Sequence, residues 1–168
     1  MKLMISLKQF NESDAQSAQQ AIAHCVAIEA WQTELVAHRP YRDIATLHRV
    51  AAELTAGWGE EALTSALKAH PRIGERPTGE SSEAQASRQE QAAVQQTDQQ
   101  SKEAIRLGNS RYEQRFQRVF LIRAKGRSPQ DILAALEQRL QLSAAEDIEA
   151  SLQQLREITA LRLQEAIQ

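Results

Sequence analysis

His70, Glu90 and Arg162 are the residues of this chain that ordinary helical packing accounts for least well. His70 stands where an apolar helical pattern stops, immediately before Pro71. The ordinary histidine pKa of ~6.5 suits it to moving protons near neutrality. An imidazole at a helix end also satisfies the terminal carbonyls, so a capping role stands beside the chemical one. Ser87, Glu90 and Gln91 recur at i, i+3 and i+4 and share one helix face. That face gathers a hydroxyl, a carboxylate and an amide. In so glutamine-rich a stretch it also describes an exposed polar surface, and polar density alone does not separate the two. Arg162 continues the line Ile148, Leu152, Leu155, Thr159 at the helical period, inside the apolar stripe and not opposite it. A guanidinium keeps its proton and is costly to bury unpaired. It either snorkels from near the helix end or clamps an anion inside a pocket.

The elements that must hold these residues are helices. Ala, Gln, Glu, Leu and Arg are abundant, all good helix formers, against only 6 Gly and 4 Pro. No segment sustains the alternation of a strand. Asn11, Ser13 or Asp14 caps a helix from about Ala15 to Ala27. A second pattern carries Trp31, Leu35 and Val36 and stops at Arg39-Pro40. Asp43 caps a third, with Leu47, Val50, Ala51 and Leu54 on one face, and a short fourth runs from Glu60 to Ala69. PRIGERPTGESS, residues 71–82, reads as a loop and not a linker, because helices of similar composition flank it. Ser81 or Ser82 caps the next helix, with Glu83 in its first turn; Gln85 to Gln100 continues it, with Ala86 and Ala93 as a small-residue stripe. Gly108-Asn109 breaks the pattern, and Tyr112, Phe116, Val119 and Phe120 follow at helical spacing as an aromatic anchor. VFLIRAKGRSPQD is a short apolar run into a turn. Ser128 then caps a helix with Pro129 at its first position, and Ser143 opens the last helix. The fold class is all-α, with residues 1–168 as one compact helical domain.

Composition narrows the function classes. With 20 Lys+Arg against 22 Asp+Glu the net charge is −2, without the basic excess of a nucleic-acid binder. A single cysteine, Cys25, excludes an internal disulfide and a zinc ribbon, and its apolar neighbours suit a buried small hydrophobe. His24, His38 and His48 lack metal-ligand spacing and read as ordinary helix residues; no metal site is expected. Mean hydropathy is −0.52, and no apolar run suits a membrane span or signal peptide, so the expected setting is soluble and cytoplasmic. No phosphate-binding glycine loop and no nucleophile elbow is present.

These residues, taken in order, resemble the 2-oxo-4-hydroxy-4-carboxy-5-ureidoimidazoline decarboxylase family through nearly the whole chain. Phe10-Asn11 is similar to its opening FN, and Cys25, Trp31 and Arg39-Pro40-Tyr41 to its C…W…RPF, with Tyr41 in place of the usual Phe. His70-Pro71 with Ile73-Gly74 resembles its HPxxG loop, and Ser87 to Gln91 its SxxEQ face. Asn109, Tyr112 and Arg115-Phe116 match N-x-x-Y-x-x-K/R-F, FLIRAKGRS from Phe120 to Ser128 resembles the strip before its next helix, and Glu157 to Leu163 its closing helix. No one motif is specific; seven in order are.

The resemblance implies a helical bundle with a polar pocket between helices and loops, in which His70 and Glu90 are catalytic. It implies that Pro71, Ser87, Arg88, Gln89, Gln91, the Ile122, Arg123, Ala124, Lys125 and Gly126 strip, and Arg162 bind substrate. It implies cofactor-free decarboxylation of the ureidoimidazoline to (S)-allantoin, the last step from urate, with that small molecule as the partner and no nucleic acid or membrane. A homodimer, the commonest symmetric oligomer, is compatible with it. Two other readings stand beside it: a non-catalytic helical interaction module, and a lyase or hydrolase acting on a related ureide.

Overall fold

The computed structural model describes residues 4–75 and 81–168, apart from the side chains of Ser82 and Glu83. Part of the expected 71–82 loop, residues 76–80, lies outside the described residues. Among those described, ten helices follow one another: α1 (Leu7–Glu12), α2 (Ala15–Ile22), α3 (Glu29–Ala37), α4 (Ile44–Glu53), α5 (Glu60–Leu67), α6 (Ser82–Glu90), α7 (Ala92–Gln95), α8 (Gln99–Phe116), α9 (Pro129–Leu140) and α10 (Ala144–Ala166). No strand is present among the described residues, only an isolated bridge between Ile5 and Ile167, so the chain is all-α as expected. It divides into two units, one of residues 1–58 and 156–168, the other of residues 59–155.

The first unit contains α1 to α4 and the last turns of α10. Its caps are those the sequence offers: Asp14 accepts from Ser17 N at 2.8 Å and Asp43 from Thr46 N at 2.7 Å. Phe10, Ile22, Trp31, Leu35 and Leu47 are fully buried or nearly so, and Cys25 is buried among them. The sequence reading missed α1, whose N-terminus is a capping box: Ser6 Oγ accepts from Gln9 N and Gln9 Oε1 from Ser6 N. Helix α2 stops at Ile22, so His24 lies in a turn and not in a helix. Asn11 and Tyr41 exchange two hydrogen bonds, Asn11 Nδ2 to Tyr41 O at 2.9 Å and Tyr41 N to Asn11 Oδ1 at 2.8 Å. Arg39 Nη1 donates to Phe10 O and Ser13 O, both at 2.7 Å. The FN and RPY motifs therefore fasten each other.

In the second unit the expected helix over 85–100 is three pieces. It breaks at Gln91, whose φ of −92° and ψ of 10° close α6, and Asp98 then caps α8 through Ser101 N at 2.7 Å. Of the small-residue stripe, Ala86 is buried and Ala93 exposed. Gly108 and Asn109 do not break a helix; both are buried inside α8. A Cβ on Gly108 would lie 2.8 Å from Leu136 Cδ1, so this glycine lets α8 and α9 pack closely instead of ending an element. Helix α8 ends at Phe116 with Gln117 left-handed at φ 60°, which puts Val119 and Phe120 outside it. Phe120 still meets Tyr112 edge-on, with centroids 5.2 Å apart, so the aromatic anchor forms across the turn.

Candidate functional site

His70 follows the C-terminal turns of α5, half-buried with its Nε2 fully so. Its amide donates to Leu67 O at 3.2 Å, so the backbone closes the helix end. The turn after it is fixed through Gly74, at φ +94°, a conformation that favours glycine. Gly74 N donates to Gln91 Oε1 at 3.0 Å, Gln95 Nε2 donates to Gly74 O at 3.2 Å, and Asn109 Nδ2 donates to Ile73 O at 2.7 Å. The His-Pro turn is thus fastened to α6, α7 and α8. Ser87 and Gln91 are 3% exposed, Glu90 and Arg88 are half-buried and Gln89 is exposed, so the face is not a solvated one. Gln91, expected as a ligand contact, also braces the turn, since its side-chain carbonyl accepts from Gly74 N.

The strip 122–126 belongs to the same unit. Ile122 and Ala124 share a buried cluster with Ile73 and Val94, so the strip, the His-Pro turn and α7 meet in one apolar base. Arg123 N donates to Gln154 Oε1 at 2.9 Å and Arg139 Nη1 donates to Leu121 O at 3.1 Å. Gly126 has φ +81° and a Cβ there would meet nothing within 4 Å, so backbone conformation requires this glycine, not close packing within the chain. It opens the turn closed by Arg127 N to Ala124 O at 3.1 Å. Lys125 is exposed, while Pro71 and Arg123 are half-buried. Sequence reasoning matched Asn109 and passed over Gln95, Arg139 and Gln154, which are the groups that hold the expected site backbone; only Asn109 stood in a recognisable motif.

Arg162 lies in the other unit and is 2% exposed, which rules against a snorkelling side chain. Its Nη1 donates to His24 O at 2.8 Å, in a turn that Gln32 braces from Nε2 to Ala23 O at 3.3 Å and Val26 O at 2.8 Å. Burial, and next the Arg162 charge, push the His24 imidazole down to about 4 from its ordinary 6.5. The unfolded chain therefore takes up this proton before the folded one does. Stability is complete above about pH 6.5 and falls as pH drops toward 4, by about 3 kcal/mol from this group. Urea unfolding of wild type and His24→Gln at several pH values checks it: the variant is expected to lose less stability on acidification, and parallel curves would remove the assignment.

A separate groove of about 700 Å³ runs between the 72–75 turn and α8. Two ion pairs lie on its own walls, Arg72 to Glu113 at 2.8 Å and Arg106 to Glu103 at 2.5 Å, and neither His70 nor Glu90 lines it. Among the described residues no group of three His, Cys, Asp or Glu side chains could hold a metal ion, and no helix is long and apolar enough to cross a membrane.

Fold and site together define an all-helical protein with a histidine turn fastened to a polar helix face and packed on a short apolar strip. The fold matches the crystal structure of OHCU decarboxylase in the presence of (S)-allantoin, with TM-score 0.70 and 19% identity over 86% of this chain and 94% of that one. It also matches the crystal structure of (S)-allantoin synthase, with TM-score 0.70 and 15% identity over 97% of this chain and 54% of that one. The OHCU decarboxylase family model matches residues 11–164, and the chain belongs to that family. Relatives include the uric acid degradation bifunctional protein PucL of Bacillus subtilis, 27% identical over 98% of this chain and 33% of that protein. The 2-oxo-4-hydroxy-4-carboxy-5-ureidoimidazoline decarboxylase of Haloferax volcanii is 26% identical over 96% of this chain and 95% of that protein. The chain thus spans about a third of the bifunctional relative and nearly all of the single-function one.

Proposed function

We propose that this protein decarboxylates 2-oxo-4-hydroxy-4-carboxy-5-ureidoimidazoline to (S)-allantoin. The observation that carries the reading is the fastening of the His70 turn to the Ser87–Gln91 face through Gly74 and Gln91, which ties the turn after His70 to the helix that carries Glu90. The substrate holds a carboxylate and a hydroxyl on one ring carbon, beside a carbon doubly bonded to nitrogen. The carbon–carboxylate bond breaks, carbon dioxide leaves, and the electron pair moves into the carbon–nitrogen system, whose nitrogen takes up a proton. The hydroxyl then gives up its proton to become a carbonyl, and the ureido-bearing carbon gains one. The ring is its own electron sink, so each step asks only for orientation and proton transfer.

His70 and Glu90 share the proton work in this reading. Glu90 also suits the N–H groups of the ureido arm, with Ser87, Arg88, Gln89, Gln91 and Pro71 around it. The 122–126 backbone adds donors and acceptors for a polar ureide, and the planar Arg162 fork suits a carbonyl or anionic group of such a ligand. Delivery of the carbon-bound proton from one fixed side sets the S configuration. The protein works in the cytoplasm on a free small molecule, and a homodimer is compatible with it.

The test generates the unstable ureidoimidazoline from urate in situ and follows circular dichroism with and without the protein. The expected result is rapid growth of the (S)-allantoin signal over the racemic background. A folded protein that leaves the background unchanged overturns the reading in favour of a binding module or another ureide.

A further inference from the structure

We propose that Gln154 is a positioning residue for this reaction: through the Arg123 amide it sets the strip whose opposite edge receives the substrate. The proposal rests on the functional reading above. Phe120, Ile122 and Ala124 share one buried cluster while Leu121 and Arg123 stay outside it, the every-second-residue alternation of an extended stretch. In extended backbone, successive residues present their N–H and C=O groups to opposite edges. Leu121 and Arg123 share one edge, and both are fastened to helices of the same unit: Leu121 O accepts from Arg139 on α9, and Arg123 N donates to Gln154 on α10 at 2.9 Å. Ile122 and Ala124 present the other edge. Among the described residues, the Ile122 N–H and C=O and the Ala124 N–H make no hydrogen bond. That row of donor, acceptor and donor complements the carbonyl and N–H groups of a ureide. Burial of the Ile122 and Ala124 side chains fixes the strip's depth. The two helix bonds on the fastened edge hold its register, with Arg127 Nε donating to Arg123 O at 2.8 Å on the same edge.

Of those two bonds, Gln154 is the informative one. Arg139 also belongs to a buried ionic network, so its loss disturbs the fold as well as the strip. Gln154 is half-buried on the helix surface, and its removal leaves that network whole. An unfastened edge lets the recognition row tilt, which weakens substrate capture more than the proton chemistry.

The experiment compares wild type, Gln154→Leu and Gln154→Glu by kcat and KM in the circular dichroism assay, by Tm, and by hydrogen exchange at the Arg123 amide. In Gln154→Leu the amide is expected to exchange faster and KM to rise about tenfold, the size of one lost hydrogen bond, with kcat and Tm little changed. Gln154→Glu keeps an acceptor oxygen and is expected to restore both exchange and KM. Unchanged exchange in Gln154→Leu overturns the fastening. Faster exchange with wild-type KM overturns the positioning role. A fall in Tm with a KM change that Gln154→Glu does not rescue reduces the residue to a structural one and overturns the proposal. Failure of the functional reading looks different: wild type itself gives no stereospecific product, and the positioning role falls with it.

Discussion

His70→Ala is expected to slow stereospecific formation of (S)-allantoin by about 10²- to 10⁴-fold, the range for loss of a positioned acid–base group. The fold should survive, for a reason visible around the turn. Gly74 is held at both its N–H and its C=O, and Ile73 at its carbonyl, by Gln91, Gln95 and Asn109. None of these bonds uses the imidazole. The helix end is also closed by the backbone, from His70 N to Leu67 O, so a capping role for the ring adds little. A rate measurement beside a thermal melt separates the two roles. A large loss of rate with a Tm within a few degrees of wild type assigns the ring to chemistry; wild-type turnover would falsify the proton-transfer role. Glu90→Gln, which keeps the shape of the side chain and removes its charge, extends the same test to the partner face.

The helices of the first unit were legible because their caps are local. Asp14 and Asp43 each accept from the residue three further on, an arrangement written within four residues of sequence. The break at Gln91 was not legible, because it depends on a contact 17 positions away in sequence, to Gly74. Gly108 misled for a related reason. Glycine lowers helix propensity wherever it stands, and only the nearness of Leu136 on α9 explains why one is needed inside α8. Among the candidate functional residues, the side chains with reactive character, His70, Glu90 and Arg162, stood out by type and position. The groups that orient the backbone, Gln95, Arg139 and Gln154, did not, since an amide or guanidinium on a polar helix looks the same in sequence whether it meets water or a backbone group. The sequence line through α10 holds at Leu152, Leu155, Thr159 and Arg162, all buried, and misses only how the face begins. The buried face begins at Asp147 and Ser151, both 0% exposed, and Ile148 beside it is only half-buried. Hydrophobicity alone cannot find a buried face that starts with a carboxylate.

That carboxylate carries the largest stability effect expected in the chain. Asp147 Oδ1 accepts from Arg139 Nε at 2.7 Å, and its Oδ2 accepts from Arg118 Nη2 at 2.8 Å and from Tyr112 Oη at 2.5 Å. Arg139 continues to Ser151 Oγ at 2.5 Å and stacks over the rings of Tyr112 and Phe120. Burial, and next the bond to Asp147, raise the Tyr112 phenol above its ordinary range, so it stays protonated and donates. Asp147→Ala leaves the buried Arg139 guanidinium and the Tyr112 hydroxyl without their shared acceptor. The expected cost is about 3–5 kcal/mol, the range for removing one partner of a buried pair. For a chain of this length that corresponds to a fall in Tm on the order of 10 °C. The ion pair itself need not be a net source of stability, because an apolar group of similar volume avoids desolvating either charge. Asp147→Ala combined with Arg139→Met should therefore be more stable than the sum of the two single changes implies. Urea unfolding of the two single variants and the double variant measures that coupling directly. Strictly additive losses would show that Asp147 and Arg139 act as independent polar residues. The double variant also separates folding from function: it restores a packed core without restoring the Arg139 bond to Leu121 O. Recovered stability with weakened substrate capture is the expected combination.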